Sequence, residues 1–260
     1  MAGIPRVDVL GVEVSAVDRA LALDTITGWI ERRERHYVCV TGVHGVMESR
    51  RDPALRAIHN ASGLTVPDGM PMVWAGHRAG AGGMRRVYGP DLMLDVLRRG
   101  AERGWGSYLY GGGEGVPELL GSELGGRVPG LKVVGALSPP FRPLTPREER
   151  EIADRINDSG ADLVWVGLST PKQERWMAAF RDRLRAPVLL GVGAAFDFHA
   201  GLKPQAPAWM AERGLEWCYR LAKEPRRLWR RYLRNNPAYL VQSAIRPPRL
   251  LAAPEERAEA

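Results

Sequence analysis

The sequence predicts an α/β protein: a mostly parallel sheet with helices on both faces, followed by a basic helical C-terminal appendage. Three observations carry this. Short runs rich in Val, Leu and Tyr alternate with helix-like segments, the order that covers both faces of a parallel sheet. The runs are continuously apolar rather than alternating, as in strands buried on both sides. Near the end, seven Lys or Arg residues and a single acid, Glu224, fall between Arg220 and Arg234.

Element by element, Val7–Val14 reads as an edge strand or a hairpin. Strands follow at His36–Thr41, Leu64–Val66, Ser107–Tyr110, Leu131–Leu137, Asp162–Leu168 and Pro187–Val192. Helices are expected at Val17–Arg32, Pro53–Ala61, Pro90–Arg103, Val116–Leu124, Pro146–Asn157 and Pro171–Leu184. Three of them open on a polar cap followed by proline: Asp52-Pro53, Thr145-Pro146 and Thr170-Pro171. Beyond Pro247 the chain turns Pro-, Ala- and Glu-rich, which predicts a disordered tail. The expected organisation is a core over residues 1–204, the appendage over 205–246 and the tail over 247–260.

A chain of 260 residues with 45% hydrophobic and 26% charged residues has ordinary globular composition, with room for a sizeable core. Cys39 and Cys218 belong to no Cys-x-x-Cys or Cys/His cluster, which argues against a disulfide framework or a zinc site. No apolar run reaches the roughly 20 residues needed to span a bilayer, and the N-terminus lacks the layout of a signal peptide. The expectation is a cytoplasmic protein, at most surface-bound. A net charge of +7 concentrated near one end asks for an anionic partner or a solvated face.

The first chemical candidate is Asp68. Leu64 to Met70 reads Leu-Thr-Val-Pro-Asp-Gly-Met, placing one carboxylate where a buried strand ends. Ligands of open α/β sheets gather outside the carboxyl ends of strands. Pro-Asp-Gly is also a common turn, so context has to decide. Gly111, Gly112 and Gly113 follow the strand Ser107–Tyr110 and precede a helix, where free backbone N–H groups suit a phosphate. A tight strand-to-helix turn explains them equally well. Neither G-x-G-x-x-G nor a Walker A lysine motif is present, which weakens a dinucleotide or ATP site.

Four further candidates sit at strand ends. Gln173 lies in the first turn of a helix expected to have Thr170 at its N-cap and Pro171 at its first position, an anion-favouring end. Thr-x-x-Gln is itself a capping box, the plain alternative. Asp197 and His199 follow a second incomplete glycine pattern, Gly191–Phe196. Just past the first core strand, His44 can orient a hydroxyl or act as a base, although a lone loop histidine more often does neither. No Asp-x-Asp occurs, so a diphosphate has to be neutralised by backbone N–H groups and by Arg or Lys.

A helix starting at Pro225 sets Leu228, Trp229, Tyr232 and Leu233 on one stripe, opposite Arg226, Arg227, Arg230, Arg231 and Arg234. A basic face backed by Trp and Tyr suits an anionic lipid surface. The rival readings are plain docking on the core and a grip on a substrate diphosphate. Nucleic acid ranks last, since no reader motif is present.

These features combine with Val-Tyr-Gly-Pro-Asp-Leu (87–92), Val-Gly-Leu-Ser-Thr-Pro-Lys-Gln-Glu (166–174), Ala-Pro-Ala-Trp-Met (206–210), Gly-Leu-Glu-Trp (214–217) and Glu-Pro-Arg-Arg-Leu-Trp-Arg-Arg-Tyr-Leu (224–233). Taken in order from Val7 to Tyr239, the chain resembles the WecG/TagA/CpsF family of bacterial glycosyltransferases. The resemblance implies a Rossmann-like core. It also implies inverting, metal-independent sugar transfer from a UDP-sugar to a polyprenyl-diphosphate-linked acceptor, without a cofactor, on the inner membrane face. On the matched positions it implies Asp68 as catalytic base, Gln173 as a substrate contact, and Arg220, Arg227 and Arg230 as grips on the diphosphate. A homo-oligomer stays open.

One departure stands out. Many family members carry Thr-x-Asn after the first strand, with both side chains facing the pocket. This chain reads Cys39-Val40-Thr41-Gly42-Val43-His44. Gly42 then stands in place of the asparagine, Thr41 is either displaced by one position or not equivalent, and His44 is the candidate substitute reader of a sugar hydroxyl. That brings UDP-glucose into contention beside an N-acetylmannosamine donor. The rivals to transfer are a nicotinamide-dependent oxidoreductase on a similar sheet and a membrane-docked scaffold that has lost activity.

Overall fold

The computed structural model describes residues 3–254. Strands β1 (Arg6–Val9) and β2 (Val12–Ser15) lead into helix α1 (Arg19–Glu31) and β3 (His36–Thr41). Helices α2 (Val43–Arg51) and α3 (Pro53–Asn60) follow, then β4 (Leu64–Pro67), α4 (Met70–Arg78) and α5 (Gly89–Arg103). The alternation continues through β5 (Gly106–Gly111), α6 (Val116–Arg127), β6 (Lys132–Leu137), α7 (Pro146–Asp158), β7 (Leu163–Gly167), α8 (Lys172–Phe180) and β8 (Val188–Gly191). Helices α9 (Ala195–His199), α10 (Ala208–Glu212), α11 (Glu216–Lys223) and α12 (Pro225–Ile245) precede β9 (Arg249–Leu251).

Six strands form a mostly parallel sheet in the order β4-β3-β8-β7-β5-β6, the α/β architecture the alternation predicts. β3 pairs with β8, β8 with β7, β7 with β5 and β5 with β6, all in parallel. The chain forms two compact units. Unit 1 gathers residues 3–22, Val40–Tyr88 and 205–254; unit 2 gathers Leu23–Cys39 and Gly89–Pro204.

In unit 2, β5 and β8 are buried along their whole length, which is why they read as unbroken apolar runs. Tyr110, Trp176 and Phe180 stack in series at 4.2 and 4.3 Å between ring centroids. Thr145 caps α7 in a reciprocal box with Glu148, as Thr-Pro at a helix start suggests. α8 departs from that pattern. It begins at Lys172, and the Thr170 hydroxyl donates to Glu174 Oε1 at 2.8 Å instead of capping a backbone N–H.

Unit 1 carries a second sheet, antiparallel, in the order β2-β1-β9. β1 and β2 are therefore a hairpin of their own rather than an edge of the main sheet. Its turn holds Leu10 and Gly11 at φ 56° and 93°, and Asp8 Oδ1 accepts from Gly11 N at 2.6 Å. Val7, Val9, Val12 and Val14 pack with Val46, Met47, Met72, Met84 and Tyr239 in one apolar cluster.

Residues 247–254 correct the expectation of a disordered tail. Arg249–Leu251 pairs with β1, and Ala253 is fully buried. Three pairing residues are too few to show as a strand against a Pro- and Glu-rich background; the partner edge of β1 supplies what the local sequence lacks. Residues 255–260 lie outside the described residues. The segment from Gln205 clusters with the earlier parts of unit 1. Leu228, Asn235 and Tyr239 of α12 are buried, whereas Trp229 and Leu233 are exposed. The predicted stripe is thus split between two faces of the helix.

Candidate active site

Asp68 stands where β4 stops. Its backbone N–H donates to Thr41 O at the end of β3 (2.8 Å), and Val87 N donates to Pro67 O (2.8 Å). The second bond brings Arg86 and Tyr88 alongside the Pro-Asp-Gly corner. Gly69 then takes φ 92°, a conformation open to glycine, and α4 starts. The chain bends at Gly69, and the Asp68 carboxylate sits between the strand end and that bend.

Asp68 Oδ1 is buried and has no hydrogen-bond partner among the described residues. Arg86 Nη2 lies 3.6 Å from it, beyond good hydrogen-bond distance, and instead donates a short bond to Glu216 Oε2. The Arg86 guanidinium lies 4.2 Å over the Tyr88 ring. Arg220 Nη1 is 4.0 Å from the other Glu216 oxygen. Burial and the negative charge of Glu216 push the Asp68 carboxyl up to about 6, while Arg86 and Arg220 pull the other way. The Tyr88 hydroxyl is raised above its ordinary value, mainly by burial, so it stays protonated at neutral pH.

Other expected residues of unit 1 fall differently. Thr41 is buried with its Oγ1 unpartnered, and its methyl would meet a Cβ placed on Gly45. His44 Nδ1 contacts Asn235 Nδ2 at 3.1 Å and lies 3.8 Å from Glu48. Asn235 Oδ1 accepts from Arg51 at 2.8 Å, which fixes that amide and makes His44 Nδ1 an acceptor. His44 therefore ties α2 to α12 through one ring nitrogen. Arg227 is paired with Glu224 through two bonds of 2.6 Å, and Arg230 lies 5.2 Å over the Trp229 ring. Of the three arginines, Arg220 shares the cluster with Asp68.

Unit 2 carries the remaining candidates. Gly111 and Gly112 have tight backbone reasons: a Cβ on Gly111 would come within 2.7 Å of the Gly167 backbone, and Gly112 N donates to Gly167 O at 3.0 Å. A Cβ on Gly113 would meet only Val116 at 3.7 Å, so packing alone does not demand glycine there. Gln173 is buried; its Nε2 donates to Glu174 Oε1 (3.1 Å) and Gly191 O (3.2 Å), while its Oε1 has no hydrogen-bond partner among the described residues. Asp197 is salt-bridged to Lys203 at 2.7 Å. His199 is buried, with Nε2 against Pro90 O at 2.9 Å and Nδ1 against Arg127 Nη1 at 3.2 Å.

Sequence reading misses Arg86, Tyr88 and Glu216 as site residues. All three lie inside quoted motifs or beside them, yet no spacing rule links residues 68, 86 and 216. Among the described residues, no three His, Cys, Asp or Glu side chains converge to hold a metal ion. No helix among them is long and apolar enough to cross a membrane.

A family model described as "Glycosyl transferase WecG/TagA/CpsF family" matches residues 7–250. The chain belongs to the WecG/TagA/CpsF glycosyltransferase family. It is similar to the N-acetylglucosaminyldiphosphoundecaprenol N-acetyl-beta-D-mannosaminyltransferase of Bacillus spizizenii, 26% identical over 228 residues, covering 88% of this chain and 86% of the relative. The protein of the same name from Bacillus subtilis (strain 168) is 27% identical over 226 residues, covering 83% of this chain and 85% of the relative. A glycosyltransferase of the WecG/TagA/CpsF family replaces the oxidoreductase reading, in agreement with the incomplete glycine fingerprint.

Proposed function

We propose that the chain transfers a sugar from a UDP-sugar to a polyprenyl-diphosphate-linked saccharide, with inversion, in the synthesis of a cell-surface polymer. Asp68 takes the proton of the acceptor hydroxyl as that oxygen attacks the anomeric carbon. The bond from the anomeric carbon to the UDP oxygen breaks, and UDP leaves with the electron pair. The observation that carries this reading is the Asp68 carboxylate, whose inner oxygen is buried at a strand end, 3.6 Å from the Arg86 guanidinium and without a hydrogen bond among the described residues. A carboxyl pushed up to about 6 is ionised at neutral pH yet basic enough to accept a proton in the transition state.

Charge on the leaving diphosphate is offset in this reading by Arg220, Arg227, Arg230 and the backbone of Gly111–Gly113, with no divalent ion required. Gln173 Oε1, buried without a partner, accepts a hydrogen bond from the donor substrate. Thr41, His44 and Asp197 have a weaker claim to substrate, since the chain already engages His44 Nδ1 and Asp197. The names of both Bacillus relatives support an N-acetylmannosaminyl donor; glucose is the competing donor.

The protein works at the inner membrane face in this reading. Trp229, Leu233, Leu240, Val241 and Ile245 are exposed along α12, whose sequence also carries five arginines between 226 and 234. Large exposed apolar groups on a basic helix suit an anionic lipid surface. A panel of UDP-sugars offered with a polyprenyl-diphosphate acceptor, read as UDP release, names the donor. Acceptor-dependent release supports transfer; no release with any donor and acceptor returns the scaffold reading.

A further inference from the structure

Asp68 is surrounded by a small balanced set of charges. The titratable and charged groups facing it are Arg86 and Tyr88, from the stretch before α5, and Glu216 and Arg220 of α11. Two acids and two guanidiniums leave the cluster neutral overall, so its behaviour depends on which acid the cations engage. Arg86 makes its hydrogen bond to Glu216 and leaves Asp68 at 3.6 Å. Its guanidinium is also held against the Tyr88 ring, and its Nε is buried without a partner. A directly hydrogen-bonded carboxylate–guanidinium pair is much the stronger contact.

We propose that Glu216 is a positioning residue for the transfer reaction: it holds Arg86 off Asp68 and so preserves the basicity of Asp68. Without Glu216, nothing on α11 competes for the guanidinium, and a shift of well under 1 Å brings Nη2 into direct hydrogen-bond distance of Oδ1. Such a pair favours the ionised form and weakens the base. Loss of the Glu216 charge acts in the same direction, since a neighbouring negative charge raises the Asp68 carboxyl. A cation is thus kept close to the reacting carboxylate without neutralising it.

The inference rests on Asp68 being the base and is tested so that the two fail separately. The full chain is assayed for UDP release across about pH 5 to about pH 8, with Glu216→Gln, Glu216→Asp and Asp68→Asn beside the unaltered protein. Glu216→Gln is expected to move the acid limb of kcat/KM down by about one pH unit and to lower the rate at pH 7 about tenfold. The ratio of variant to unaltered rate therefore rises as pH falls, which a general loss of folding does not produce. Glu216→Asp keeps the charge but withdraws it from Arg86, and is expected to give a smaller shift in the same direction; it serves alone if the glutamine variant does not fold. An acid limb left in place in both variants, with Asp68→Asn inactive, overturns the role of Glu216 alone. An Asp68→Asn enzyme at full rate overturns both readings.

Discussion

A Cβ on Gly42 would lie 2.6 Å from the carbonyl oxygen of Asp68. The missing side chain after β3 is thus a packing requirement of the corner that carries the proposed base. Gly42→Ala has to push Asp68 aside, at a cost of about 1–3 kcal/mol in denaturant unfolding and with a drop in turnover. Gly125→Ala, in α6 with open space around it, is the control and is expected to hold or gain about 0.4–1 kcal/mol. Equal effects from the two would remove Gly42 from the account.

Asp68 also gives folding stability a pH dependence. Its folded value near 6 exceeds the ordinary aspartate value, so the folded state binds the extra proton between about pH 4 and about pH 6. Stability from this group is greatest below that window and is lost as pH rises through it. Chemical denaturation in steps across the window is expected to show this slope in the unaltered protein and a flatter one in Asp68→Asn. Identical slopes would mean that Asp68 is not desolvated.

Gln173 offers a test on unit 2. Gln173→Leu keeps the bulk but removes Oε1 together with the Nε2 bonds to Glu174 and Gly191 O; with the thermal midpoint measured beside it, UDP binding is expected to weaken by about tenfold. Calorimetric titration with UDP reads this without acceptor or turnover. Unchanged affinity would assign Gln173 to packing against Gly191.

Exposed apolar residues on α12 predict binding to lipid. Leu240→Ser with Ile245→Ser removes two large groups that are each 68% exposed. Partition onto vesicles containing anionic lipid is expected to fall by at least about tenfold, and binding of the unaltered protein to weaken with salt. Full vesicle binding by the double variant would place the membrane contact elsewhere.

The sheet was legible because both-face burial leaves a local trace: continuous apolar runs such as Leu163–Gly167 punctuated by caps such as Thr145-Pro146. Asp68 was legible for a related reason, since a strand end followed by Pro-Asp-Gly has few conformations. Its neighbours were not. Arg86 and Glu216 reach Asp68 from 18 and 148 residues further along the chain, and nothing local to either signals the contact. β9 escaped notice because its pairing comes from β1, not from its own three residues. The expected α12 stripe is split because residues 228 and 229, adjacent in sequence, lie about 100° apart around the helix, enough to bury one and expose the other.

The most direct measurement is acceptor-dependent UDP release by Asp68→Asn, paired with its affinity for UDP. The exchange keeps shape and removes the proton acceptor. Turnover is expected to fall by about 100-fold or more while UDP affinity and the thermal midpoint stay near those of the unaltered protein. Turnover at the unaltered rate, in a variant that folds and binds UDP, would contradict the assignment of Asp68 as the base.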